Sequence, residues 1–83
     1  MKNNPLQILT MLFFQKKNTI QKAKGVTLSI LDKEDATFHD ILLSADGALV
    51  VQFVYKDCGQ HDHLELAELS EQDLTNIINA IKK

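Results

Sequence analysis

The sequence predicts an α+β fold: an N-terminal helix, a four-stranded antiparallel β-meander and a C-terminal amphipathic helix packed on the sheet. Apolar residues recur at helical spacing near both ends of the chain, whereas between them they alternate every second residue. Turn-forming residues, above all isolated glycines, separate the alternating runs. Because 83 residues provide enough chain for one hydrophobic core, residues 1–83 are predicted to form a single domain.

The N-terminal helix is predicted from Pro5 to about Lys17, with a longer form that reaches Ala23. Asn4 is a favoured N-cap, and proline is favoured at the first helical position because its missing N–H would have no partner there. Residues 6–14 are a short apolar run, and such runs also occur as strands, so a strand remains the alternative for this segment.

The predicted helix is apolar on two sides, and one small sheet can cover only one of them. The side predicted to be core carries Leu6, Leu9, Leu12, Phe13 and Ile20. The other side carries the predicted interface residues Ile8, Met11 and Phe14. A second copy of the chain is the simplest partner for them and another protein is the alternative, because monomers seldom expose a contiguous apolar patch. The alternative interpretation is that these three residues are ordinary exposed apolar surface, which proteins tolerate, and that they contact no partner.

Alternation with a period of two predicts the four strands. They cover residues 26–30, 37–43, 48–56, and 61 or 62 to 67. A charged turn is predicted at residues 32–35 and a second turn at residues 57–60. The clearest turn is residues 44–47, because serine suits the first position of a type I turn and Gly47 can take the left-handed conformation that follows it.

The side chains of the strands predict which faces are buried. The third strand is apolar on both faces, which places it centrally in the sheet. In the second strand the face that carries His39, Ile41 and Leu43 is predicted to be buried. In the fourth strand Leu64 and Leu66 are predicted to point inward.

The C-terminal helix, residues 70–83, is predicted from its cap and its apolar stripe. Ser70 is the expected N-cap, and Asp73 takes the place of the usual glutamate in a capping box. Leu69 and Leu74 flank the cap and are placed to form a hydrophobic staple. The stripe follows the i, i+3, i+4, i+7 spacing through Leu74, Ile77, Ile78 and Ile81.

Charge is distributed unevenly along the chain. Residues 1–25 carry five lysines and no acidic residue, for a charge of +5, whereas residues 26–83 carry four lysines and eleven acidic residues, for −7. The five lysines are Lys2, Lys16, Lys17, Lys22 and Lys24. Either this basic segment folds against the acidic body of its own chain, or residues 16–24 contact an anionic partner.

The chain contains no arginine, the residue that makes bidentate contacts to phosphates and base edges. Nucleic acid is therefore not the predicted partner. A lysine-mediated binder of nucleic acid or of an anionic membrane surface stands as an alternative function.

The one constellation with ligand chemistry is Cys58, His61 and His63, because thiolate and imidazole are the ligands that zinc prefers. Its spacing matches no structural zinc pattern, and a polar turn that leads onto the solvent face of a strand accounts for the same residues. A metal-binding sensor or enzyme built on these three residues is thus an alternative function. No catalytic residue and no cofactor is predicted.

The remaining features concern location and function class. Cys58 is the only cysteine, which excludes an intramolecular disulfide and is typical of a reducing compartment. Residues 6–14 are too short to span a membrane, which takes ~20 apolar residues, and no small-residue cleavage site follows them. The sequence predicts a cytoplasmic, non-enzymatic protein–protein interaction module, an adaptor or regulatory subunit that forms a homodimer.

Overall fold

The computed structural model describes residues 4–33 and 35–82 of the chain. In chain order it contains α1 (Pro5–Gln15), a 3-10 segment (Lys17–Ala23), β1 (Thr27–Leu28), α2 (Ile30–Lys33), β2 (Ala36–Leu43), β3 (Leu49–Tyr55), β4 (His61–Glu65), a second 3-10 segment (Leu66–Glu68) and α3 (Glu71–Lys82). The strands form one antiparallel sheet in the order β1-β2-β3-β4. The predicted α+β fold class is confirmed. Lys2, Glu34 and Lys83, which entered the predicted basic segment, charged turn and last helix, lie outside the described residues.

α1 begins as its sequence predicts, and it is a helix rather than the alternative strand. The Gln7 amide donates a hydrogen bond of 2.8 Å to the Asn4 side chain, and Pro5 occupies the first turn. The helix ends at Gln15 because Lys16 leaves the helical conformation, with φ −140° and ψ 58°. The chain continues to Ala23 as a 3-10 segment, so the longer α-helix does not form.

A single core lies between the helices and one face of the sheet. The sheet contributes side chains of β2 and β3 that are at most 1 % exposed, namely Ala36, Phe38, Ile41, Val51 and Phe53. The other layer contributes Leu9, Phe13, Ile20, Ala23, Leu74, Ile77, Ile78 and Ile81. In the described part of the chain, the opposite face of the sheet carries only half-buried and exposed side chains. The predicted stripe of α3 and the central place of β3 are confirmed.

A β-bulge in β2 changes the burial that alternation predicts. Phe38 pairs with Phe53, but Asp40 rather than His39 pairs with Gln52, so one extra residue stands at His39. After the bulge the side chains change sides, and Phe38 and Ile41 both face the core. The prediction that the face of His39, Ile41 and Leu43 is buried is therefore wrong for His39, which is exposed, and confirmed for Ile41. It is also wrong for Leu43, which lies on the core side but is 50 % exposed at the end of the strand.

The hairpin between β2 and β3 has the predicted turn. The Gly47 amide donates to the Ser44 carbonyl at 3.0 Å, and Gly47 takes the left-handed conformation with φ 90°. The Ser44 hydroxyl donates to the Asp46 carboxylate, and the Ala48 amide also donates to it. These hydrogen bonds, the one from Ser44 first, lower the pKa of Asp46.

Asp73 joins the start of α3 to the end of β1. As predicted, Ser70 caps the helix, since its hydroxyl accepts a hydrogen bond of 3.1 Å from the Asp73 amide. The Asp73 side chain, however, does not return to the cap. It is 2 % exposed and accepts hydrogen bonds from the Ser29 amide, at 3.0 Å, and from the Ser29 hydroxyl. The buried carboxylate thus supplies the hydrogen-bond acceptor for a backbone amide at the end of β1.

Two strands are shorter than alternation predicts. β1 stops at Leu28, because the Ser29 amide bonds to Asp73 and the next residue, Ile30, takes a left-handed backbone conformation with φ 33°. Ile30 is nevertheless buried, as the alternation predicts. β4 stops at Glu65 and continues as a 3-10 segment, in which Leu66 is buried.

Two substitutions in α3 test its stripe and its cap. Ile78→Ala should lower the free energy of unfolding by about 2–5 kcal/mol, because it leaves a cavity in the core. Ser70→Ala should lower it by about 1 kcal/mol, because a helix N–H loses its acceptor. Urea melts of both variants measure this, with the exposed neighbour Asn79→Ala as control. An Ile78→Ala variant as stable as the control would show that the stripe is not core.

Substitution of Asp73 measures how much its hydrogen bonds to Ser29 contribute to the free energy of unfolding. Asp73→Ala should lower the free energy of unfolding by about 1–3 kcal/mol, because the Ser29 amide is left without its acceptor. Asp73→Asn should lose less, since the amide oxygen can still accept. Gln72→Ala, on the exposed side of the same turn, is the control. Equal melts for Asp73→Ala and Gln72→Ala would contradict the assignment.

Candidate interaction surface

The predicted interface residues of α1 differ in exposure. Met11 is 51 % exposed and Phe14 is 61 % exposed. Ile8 is half-buried and packs against the core, so it contributes only in part to the surface that the sequence assigns to it. The ring of Phe14 makes an edge contact with the buried ring of Phe13, with centroids 5.2 Å apart, which holds Phe14 in place on the surface.

A groove runs along α1 beside Met11 and Phe14. On the helix side it is lined by Leu6, Thr10 and Phe14, and on the other side by the start of β3 and by residues 65–67. This part has a volume of about 290 Å³. Towards the start of α1 the groove continues between residues 4–6 and Ala67, Leu69, Glu71 and Leu74. We call these two connected parts the α1 groove.

Acidic residues border the α1 groove. Glu65 lines its first part and Glu71 its second, and the exposed Glu68 lies between them in the chain. Glu65 and Glu68 are held by a reciprocal capping box, in which the Glu65 amide donates to the Glu68 carboxylate at 3.1 Å. We call Glu65, Glu68 and Glu71 the acidic rim.

A basic segment follows the end of α1. Lys16, Lys17, Lys22 and Lys24 are all exposed. The Lys17 ammonium lies 5.4 Å from the centroid of the Phe13 ring. Among the residues that the structure describes, none of these lysines pairs with a carboxylate. The basic segment packs against α3 and β2 through the buried Ile20 and Ala23, and Gln21 donates a hydrogen bond to Asp40, but these contacts include no ion pair from its lysines.

The candidate metal ligands are not brought together as a group of three. His61 and His63 share the open face of the sheet, opposite Val54 and Gln52. Cys58 is exposed in the preceding turn, where its thiol lies 3.8 Å from the Gln60 side-chain oxygen. Within residues 4–33 and 35–82, no three His, Cys, Asp or Glu side chains are placed to hold a metal ion.

The bulge in β2 produces a histidine pair that sequence reasoning missed. The rings of His39 and His61 are perpendicular, with centroids 6.4 Å apart. All three histidines of the chain therefore lie on the open face. Alternation assigned His39 to the buried face, and no local pattern reveals the extra residue that turns it outward.

The open face of the sheet is the other exposed apolar surface. Leu42 is 41 % exposed on this face, and Leu43, at the hairpin end of β2, is 50 % exposed. With Val50, Gln52 and His63 they line a shallow depression of about 270 Å³ at the hairpin end of the sheet. Unlike the α1 groove, this depression has no charged residue in its lining.

The fold and these surfaces define a small α+β domain with its helices on one face of an antiparallel sheet and with two partly apolar surfaces. Within the described residues, no helix has the length and apolar character needed to cross a membrane. Comparison with protein families, with curated proteins and with solved structures found no match for this chain.

We expect untagged protein to retain less than one equivalent of zinc after purification and dialysis. The reason is that no third His, Cys, Asp or Glu side chain among the described residues is placed to complete a site with His61 and His63. Elemental analysis of the wild type and of His61→Ala measures this. One equivalent of zinc in the wild type that is lost in both Cys58→Ser and His61→Ala would instead establish the three-ligand site.

Proposed function

We propose that this protein is a non-enzymatic protein–protein interaction module, an adaptor or regulatory subunit, that forms a homodimer through α1. The observation that carries the proposal is the exposure of Met11 and Phe14 on a helix whose opposite side is core. Both side chains stand beside the α1 groove, which offers further apolar surface. An exposed helix face next to a groove is a common form of protein recognition site.

The free energy gained by burying Met11 and Phe14 can be compared with the free energy that association costs. Burying the exposed parts of Met11 and Phe14 in both copies contributes roughly 3–6 kcal/mol. Association costs about 4–15 kcal/mol in lost translational and rotational freedom. These two residues alone do not drive tight association, so the α1 groove and the charges around it have to contribute as well.

The other parts of the proposal have their own support. The thiol of Cys58, the one candidate nucleophile, has the Gln60 side chain rather than a histidine as its neighbour, which favours a non-enzymatic role. Cys58 is exposed and free, which favours a reducing compartment such as the cytoplasm.

A second candidate function is binding to an anionic surface, either nucleic acid or membrane. The observation that favours it is the set of exposed lysines at residues 16–24 without carboxylate partners among the described residues. Binding of this kind would weaken steeply with added salt, because it rests on the release of counterions. Titration of DNA and of anionic vesicles at two salt concentrations tests it.

Self-association should depend on Met11 and Phe14. We expect the wild type to sediment as a dimer at ~100 µM, and the variant Met11→Asp/Phe14→Asp to sediment as a monomer, because two carboxylates would have to be buried in each copy. Leu42→Asp is the matched control, since Leu42 is 41 % exposed but lies on the open face of the sheet, where it pairs with Val50.

Two outcomes would contradict this assignment. If the wild type stays monomeric at ~100 µM, the proposed homodimer is excluded, because its dissociation constant would then lie well above that concentration. A dimer that survives Met11→Asp/Phe14→Asp but dissociates in Leu42→Asp would move the interface from α1 to the open face of the sheet.

A further inference from the structure

We infer that the second copy docks antiparallel across α1, with Lys16 and Lys17 of each copy lying against Glu68 and Glu71 of the other. The inference rests on the proposed homodimer and specifies its geometry. Its basis is that Lys16 and Lys17 follow the end of α1, whereas Glu71 lines the groove at the start of the same helix.

The position of each group follows from the lining of the α1 groove. Glu71 lines the groove together with Asn4, Pro5 and Leu6, at the start of the helix. Lys16 and Lys17 follow Gln15, at its end. α1 has 11 residues and is therefore about 16 Å long, so the lysines of one copy lie beyond ion-pair distance from its own Glu71 end.

A two-fold axis perpendicular to α1 brings these groups together twice. In an antiparallel pair centred between Thr10 and Met11, the end of each helix lies beside the start of the other. Gln15, the last residue of α1, then lies beside Leu6 of the second copy, and the lysines that follow it lie near the part of the groove that Glu71 lines. A two-fold contact uses the same patch on both copies, so both ends of the interface gain the same pair of opposite charges.

The parallel arrangement has the opposite electrostatics. It would place the lysine ends of the two helices together and the acidic rims together, and like charges facing each other across an interface disfavour that pairing. The antiparallel arrangement also places the negative end of each helix dipole beside the positive end of the other.

The apolar part of the surface fits the same register. Met11 lies next to the two-fold axis and Phe14 lies one turn away, beside the Leu6 and Thr10 lining of the groove. A partner of matching chemistry must combine exposed apolar side chains with adjacent lysines. The end of α1 in a second copy has that composition, with Phe14 followed by Lys16 and Lys17.

A charge-swap experiment tests the arrangement. The variants Lys16→Glu/Lys17→Glu and Glu68→Lys/Glu71→Lys each place like charges at both ends of the symmetric interface. Each should raise the dimer dissociation constant about tenfold or more at low salt. A 1:1 mixture of the two variants restores opposite charges at both ends, and it should dimerise within about threefold of the wild type. Sedimentation equilibrium measures all three samples.

The control is Lys22→Glu/Lys24→Glu, which makes the same change of charge at the end of the 3-10 segment that leads to β1. It should leave the dissociation constant unchanged. Because Glu68 takes part in the capping box, thermal melts by circular dichroism check that each variant is folded. Should Glu68→Lys unfold the chain, Glu71→Lys and Lys17→Glu form the matched pair.

The outcomes separate this inference from the proposed function. Monomeric wild type at ~100 µM would overturn both the homodimer and its geometry. Wild-type affinity in both charge variants would overturn the antiparallel pairing and leave the homodimer standing. Two folded, monomeric variants whose mixture stays monomeric would also overturn the pairing, because their charges would then not face each other.

Discussion

In the described part of the chain, α1, the first 3-10 segment and α3 pack on the same face of a four-stranded sheet, and the rest of the structure depends on this one-sided burial. The core has two layers, so each helix needs one apolar stripe and each of the central strands one apolar face. α3 meets this condition with a single stripe. α1 does not, since Leu9 and Phe13 fill its place in the core while Met11 and Phe14 remain outside.

Two features fix how the helices and strands pack together: a hydrogen bond between α3 and the end of β1, and a bulge within β2. The Asp73 carboxylate binds Ser29 at the end of β1, which fixes the start of α3 against the edge of the sheet. The bulge at His39 keeps both Phe38 and Ile41 directed into the core along a strand that is one residue longer than its partner. The first feature determines where β1 ends, and the second determines which side chains appear on the open face.

The surface charges complement this architecture. The basic segment follows the end of α1, whereas Glu71 of the acidic rim lines the groove at the start of the same helix. The two ends of the exposed side of α1 therefore carry charges of opposite sign. In the proposed homodimer this difference in charge favours the antiparallel orientation of the two helices.

Much of the fold follows from the sequence by itself. The caps at Asn4 and Ser70, the turn at Gly47 and the stripe of α3 each depend on residues close together in the chain, and local conformational preferences suffice to predict them. Only the tertiary structure decided the position of the bulge at His39, the partner of the Asp73 carboxylate, the half-burial of Ile8 and the approach of His39 to His61. Each of these depends on the register between segments far apart in the chain, which neither periodicity nor spacing encodes.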